Sequence, residues 1–196
     1  ENISFSISSA GFVFTSFELN NYKDRAGNKI QFVNNEAFIS LSYKGALIPF
    51  DLKVSDDKLT YAGTAQVEGK EIQRTLIYNK ETQSFASTII IPEGLDELVF
   101  TIEQNKIVSK STNFLMPSFD HQDFVYSAAG KTHSERITSV KDTDSMHKSA
   151  DDVSMASVGS QYFVSAVINK SDIAPKILNK VEGKKATLTI TYNLKD

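Results

Sequence analysis

Apolar and polar residues alternate one for one along most of this chain, and a period of two restricts it to half-buried β-strands. The C-terminal stretch is the clearest case: Ala186, Leu188, Ile190, Tyr192 and Leu194 alternate with Thr187, Thr189, Thr191 and Asn193. Glu182-Gly183-Lys184 ahead of it is a turn, so Ile177 to Val181 is expected to pair back against it. Tyr61 to Val67, a turn at Glu68-Gly69, and Lys70 to Tyr78 read as a second hairpin. Asn79-Lys80-Glu81-Thr82 then turns the chain into Phe85 to Ile91, and Pro92-Glu93-Gly94 separates that run from Leu98 to Ile102. The three-four spacing of helices is hard to find. Strands of this length with turn signals between them predict an all-β fold, a large antiparallel β-sandwich with little helix.

At 196 residues the chain suits one domain spanning 1–196, a size at which β-sandwiches occur as single units. The 13 Phe and 7 Tyr suit a wide core, since aromatic side chains bury the most area. Lys and Arg total 21 against 24 Asp and Glu, and the resulting net charge of −3 offers no overall attraction for nucleic acid or anionic lipid. No apolar run approaches the roughly 20 residues that span a bilayer. The densest, Thr88 to Ile91, stops at Pro92, so the chain as given is expected to be soluble. The absence of Cys excludes a disulfide framework, a thiol nucleophile and a Cys-based zinc site. Strand-like alternation begins directly after Glu1, with no Met and no signal segment, which leads us to expect an excised domain or a mature fragment rather than a whole gene product.

Two regions depart from clean alternation. Phe12 and Phe14 fall on the face opposite Val13, Phe17 and Leu19, so that strand is expected to be covered on both sides. The strand containing Gln161, Tyr162 and Phe163, opened by Gly159-Ser160, has the same property. Tyr162, Val164, Ala166 and Ile168 lie on one face and Phe163, Ser165 and Val167 on the other. Ala128 to Ser157 is instead rich in Ser, Thr, Asp, Lys and His, and is expected to be a long polar loop, the most mobile part of the molecule.

Groups that could carry chemistry are sparse. His121-Gln122-Asp123 and His133-Ser134-Glu135 each put a His and a carboxylate on one strand face, and His147 follows in the polar stretch. A metal needs three or more converging ligands, and nothing in this spacing forces convergence, so solvated surface is the expected role. There is no Gly-x-Ser-x-Gly elbow for a serine nucleophile, and Gly27, Gly45, Gly63 and Gly69 are isolated rather than part of a phosphate-binding loop. Facing carboxylates of glycosidase type cannot be assigned without geometry. Sugar-stacking platforms favour the indole face, and the chain has no Trp. Catalytic, cofactor and metal residues are therefore all expected to be absent. Asn2-Ile3-Ser4 and Asn169-Lys170-Ser171 match the glycosylation pattern, a short motif that matters only in a eukaryotic secreted protein.

A family resemblance runs through the chain in order. Ile3, Phe5 and Ile7 alternate with Ser4, Ser6 and Ser8; Ser9-Ala10-Gly11 turns the chain; Phe12 to Leu19 returns and ends in Asn20-Asn21-Tyr22-Lys23-Asp24. Gly69 to Asn79, Phe124-Val125-Tyr126-Ser127 and Gln161 to Ala166 follow, and Ala186 to Asn193 closes the series. This succession resembles the large periplasmic domain of YidC-type membrane-protein insertases. One departure is Ala10, which stands where the family often has the first of two glycines.

The resemblance implies a β-supersandwich related in shape to galactose mutarotases. It further implies a site between a first transmembrane helix and the transmembrane core of an insertase, at the periplasmic face of the bacterial inner membrane. The expected role is then non-catalytic: assisting membrane-protein insertion and folding through contact with Sec translocon accessory subunits or nascent membrane proteins. The partner-binding residues are not readable. A carbohydrate-binding or mutarotase-like module is the alternative, and a ligand-free secreted sandwich a third. An encoded N-terminal transmembrane helix and C-terminal polytopic segment in the full gene would separate them.

Overall fold

The computed structural model describes residues 3–23, 27–34, 39–106, 121–160 and 164–195, and no helix occurs among them. The protein is all-β, built from antiparallel sheets, and it divides into two compact units. The first comprises Glu1–Leu98 with Leu194–Asp196, and the second Val99–Asn193.

The first unit holds β1 (Ile3–Ser8), β2 (Val13–Lys23), β3 (Lys29–Asn34), β4 (Ile39–Tyr43), β5 (Ala46–Leu47), β6 (Asp51–Val54), β7 (Thr60–Val67), β8 (Lys70–Asn79) and β9 (Ser84–Ile90). One of its sheets runs β1-β2-β3 and another β6-β7-β8-β9, while β4 pairs with β5. The expected hairpin forms between β7 and β8, with Val67 opposite Lys70. Its two turn residues, Glu68 (φ 51°) and Gly69 (φ 75°), are both left-handed, the twist a two-residue hairpin needs. Along β8, Ile72, Arg74, Leu76 and Tyr78 are buried while Glu71, Gln73, Ile77 and Asn79 are exposed.

The aromatic-rich segment after the first turn differs from simple alternation. Ser6 pairs with Ser16 but Ile7 pairs with Phe14, so Thr15 is an extra residue in β2. Such a bulge resets which face each side chain takes. Phe14 and Phe17, on opposite faces in an unbroken strand, thereby join one cluster with their ring centroids 5.8 Å apart. Phe5 sits at its centre, 5.0 Å from Phe85, 5.5 Å from Tyr78 and 5.6 Å from Tyr61. Rings from β1 and β2 thus meet rings from β7, β8 and β9, making a sandwich of the two sheets.

β10 (Glu97–Asn105) leads into the second unit. There follow β11 (Gln122–Ala128), β12 (Lys131–Arg136), β13 (Ser145–Ala150), β14 (Val153–Ser160), β15 (Val164–Ile168), β16 (Lys176–Glu182) and β17 (Lys185–Asn193). One layer has the order β13-β16-β17-β10 and the other β12-β11-β14-β15. β16 and β17 form the expected C-terminal hairpin, with Ile177 opposite Ile190 and Val181 opposite Ala186. Val181, Leu188 and Ile190 of one layer and Phe124, Ala156 and Val158 of the other are buried.

The polar stretch Ala128 to Ser157 is not a loop. It contains β12, β13 and half of β14. β12 and β13 lie at sheet edges, and most of their side chains face solvent. An edge strand holds its place through backbone bonds on one side, so it tolerates a loop-like composition. A second correction concerns Gly159-Ser160, which closes β14 rather than opening a strand; β15 returns antiparallel, with Val164 opposite Gly159. Nor is β15 covered on both sides: Val164 is 64% and Ile168 62% exposed. Gln161, Tyr162 and Phe163 lie outside the described residues.

Candidate functional site

Ser9 to Phe12, the turn of the opening motif, is fixed by residues far along the chain. The Gly11 amide donates to the Ile48 carbonyl at 2.7 Å, the Leu41 amide to the Gly11 carbonyl at 3.0 Å, and the Phe50 amide to the Ser9 carbonyl at 3.0 Å. Gly11 (φ 68°) and Phe12 (φ 54°) are both left-handed. A Cβ on Gly11 would also fall 3.1 Å from the Leu41 carbonyl oxygen, so a side chain is opposed there both by strain and by space. Left-handed Phe12 is unusual for a bulky residue, and such strain persists only where surroundings over-determine it. Here its ring is fully buried, edge-on to Phe50 at 5.3 Å. Gly63 makes room for it, since a Cβ there would lie 2.8 Å from the ring.

Arg74 completes this arrangement. Its guanidinium carbon sits 4.8 Å from the centroid of the Phe12 ring, and its Nη1 donates to the Gly11 carbonyl at 3.5 Å. Nε reaches the Ser87 hydroxyl at 3.4 Å. Burial pushes the guanidinium down to about 10, which leaves it charged at neutral pH. It therefore tethers the turn electrostatically. The signal in the sequence is parity: Arg74 occupies the inward register of Ile72, Leu76 and Tyr78, where a charge needs a compensating partner.

The three histidines occupy separate settings. His121 Nε2 is 3.5 Å from Asp123, whose other carboxylate oxygen accepts from Arg136 Nε at 2.6 Å. His133 stacks on Tyr126 at 5.0 Å between ring centroids. His147 Nε2 is 3.5 Å from Glu182, which Lys180 also contacts at 2.8 Å. His121 meets Asp123 two residues along its own segment, His133 lies opposite Tyr126 across β11 and β12, and His147 is diagonal to Glu182 across β13 and β16. Among the described residues no three His, Asp or Glu side chains group as metal ligands do.

The inner side of β15 is held by a chain of amides. Gln104 Nε2 donates to the Ser165 hydroxyl at 3.0 Å and to the Val158 carbonyl at 3.4 Å. Buried Gln122 donates in turn to Gln104 Oε1 at 3.3 Å and to the Asn105 carbonyl at 3.2 Å. A neighbouring crevice between Val153, Ala156, Val167, Ile190 and Tyr192 is too tight for a water molecule. Tyr22 is the one described aromatic side chain that is mostly exposed, at 56%. Comparison of the chain with protein-family models and with curated proteins returned no match.

Proposed function

We propose that this chain is a non-catalytic interaction domain of an inner-membrane insertase of YidC type, carried at the periplasmic face by flanking transmembrane helices. It assists insertion and folding of membrane proteins by contacting Sec translocon accessory subunits or emerging substrate segments. The observation that carries this reading is the opening motif: β1 and β2 pair directly across Ser9 to Phe12, the strand, tight turn and strand on which the resemblance rests. The rings weigh against the carbohydrate-binding alternative, because a sugar platform needs exposed faces and those of Phe5, Phe14 and Phe85 meet each other instead. The test exposes the purified chain to translocon accessory subunits in nanodiscs, with sugar mutarotation assayed in parallel. Saturable binding without mutarotation is the expected result. Mutarotation without binding would replace this reading with the alternative.

A further inference from the structure

We infer that β15 is a self-recognition edge, on which a second copy of this chain adds its own β15 antiparallel about a two-fold axis through Ala166. This inference stands on the geometry of one strand and does not depend on the insertase reading. Among the described residues β15 ends its sheet. The Asn169 amide donates to the Ser154 carbonyl at 2.9 Å, and Ile168 lies opposite Met155. Antiparallel pairs alternate between bonded and non-bonded. Ser165 and Val167 therefore turn their backbone groups toward β14, and Val164, Ala166 and Ile168 turn theirs off the edge.

The same three residues carry the exposed side chains of the strand. Edges are ordinarily protected by charge, proline or twist. β12 has Lys131, Glu135 and Arg136, and β13 has Lys148, whereas Val164 to Ile168 has neither charge nor proline. β1 and β9 are also uncharged edge strands, but the exposed side chains of β1 are Ser4 and Ser6, and those of β9 include Ser84 and Thr88.

The occupant follows from the register. Rotating β15 about Ala166 sets Val164 against Ile168 of the second copy, Ala166 against Ala166, and Ile168 against Val164. All three are bonded pairs, since each uses groups that point off the edge, and a β-branched side chain meets a β-branched side chain on the exposed face at both ends. Symmetric association of this kind is the commonest form of oligomer. A strand of five residues is short, so the contact falls in the small, transient class of interface.

The chain has no Cys, so a single introduced thiol reports this geometry without background. In a bonded antiparallel pair the two Cα atoms lie about 5.5 Å apart, within disulfide reach. Ala166→Cys should oxidise to a covalent dimer at least about tenfold faster than Ser165→Cys, which faces Val167 of the second copy. Amide exchange at Val164, Ala166 and Ile168 in the parent chain should slow as concentration rises. Adding Val164→Lys and Ile168→Lys to Ala166→Cys should remove the rate advantage, with circular dichroism verifying the fold. Equal oxidation rates for the two thiols would overturn the proposal. So would exchange that is independent of concentration, or that slows only on addition of a foreign alternating Val-Thr peptide.

Discussion

The cores of the two units solve the same problem with different materials. In the first, rings from two sheets converge on Phe5, and a buried guanidinium lies over Phe12. In the second, aliphatic side chains dominate, joined among the described residues by the buried polar Gln122, Ser157 and Asn179. Gln122 and Ser157 have partners, the latter donating to the Val125 carbonyl at 3.0 Å. The amide of Asn179 has none among the described residues, although the side chain is 1% exposed. The first unit therefore concentrates its stability in a few large side chains. The second spreads it over ladders and tolerates an uncompensated polar group.

The largest expected effect tests that concentration. Phe12→Ala removes a fully buried ring, leaves space against Gly63 and takes the π face from under Arg74. Truncation of a buried Phe costs about 3–5 kcal/mol, and leaving a buried guanidinium without the ring beneath it places this variant at the upper end. Phe124→Ala, equally buried but with no charge over its ring among the described residues, should lose less. Urea midpoints of the two variants decide it, and a greater loss for Phe124→Ala would break the comparison.

A smaller effect of opposite sign is expected in the second core. Asn179 shares the inward face of β16 with Ile177 and Val181. Burying an amide without a partner costs about 1–3 kcal/mol, and Leu keeps the same branched skeleton with bulkier methyl ends. Asn179→Leu should raise the urea midpoint by that order, while Gln122→Leu, which leaves the Asn105 carbonyl short of a donor, should lower it. A lowered midpoint for Asn179→Leu would mean that its amide is compensated after all.

Hairpins were legible because alternation and turn chemistry agree, as at Glu68-Gly69 and Glu182-Gly183. The bulge at Thr15 was not, since an extra strand residue leaves no compositional trace. β12 and β13 were hidden because edge strands need only one bonded side and can carry loop-like side chains. The turn at Ser9 to Phe12 was readable as a turn. Its anchors were not, because Leu41, Ile48 and Arg74 reach it only through tertiary pairing. For β15, parity put Val164, Ala166 and Ile168 on one face, but a period of two does not say whether that face is covered.

The smallest expected effect concerns ion pairs, where the two units differ again. In the first, lowered carboxyls are shared out: Lys29 and Gln31 lower Glu18, Lys44 and Tyr43 lower Glu68, and Lys195 lowers Asp96. In the second, Lys180 lowers Glu182 and Lys106 lowers Asp142, and Lys106 is only 8% exposed at its side chain, with its other bond going to the Val140 carbonyl. A carboxyl held below its ordinary value stabilises the fold at pH above the ordinary value. That contribution is lost as pH falls through the lowered one. Both units should therefore weaken on acidification below the ordinary Asp and Glu range. Lys44→Met should barely alter this acid limb, since the exposed pair it breaks is one of several and is screened by solvent. Asp142→Asn should flatten the limb and lower the neutral-pH midpoint more than Lys44→Met does, because it strips a largely buried ammonium of its carboxylate. Urea midpoints across the acid range measure both, and identical curves for the two variants would show that burial of Lys106 adds nothing.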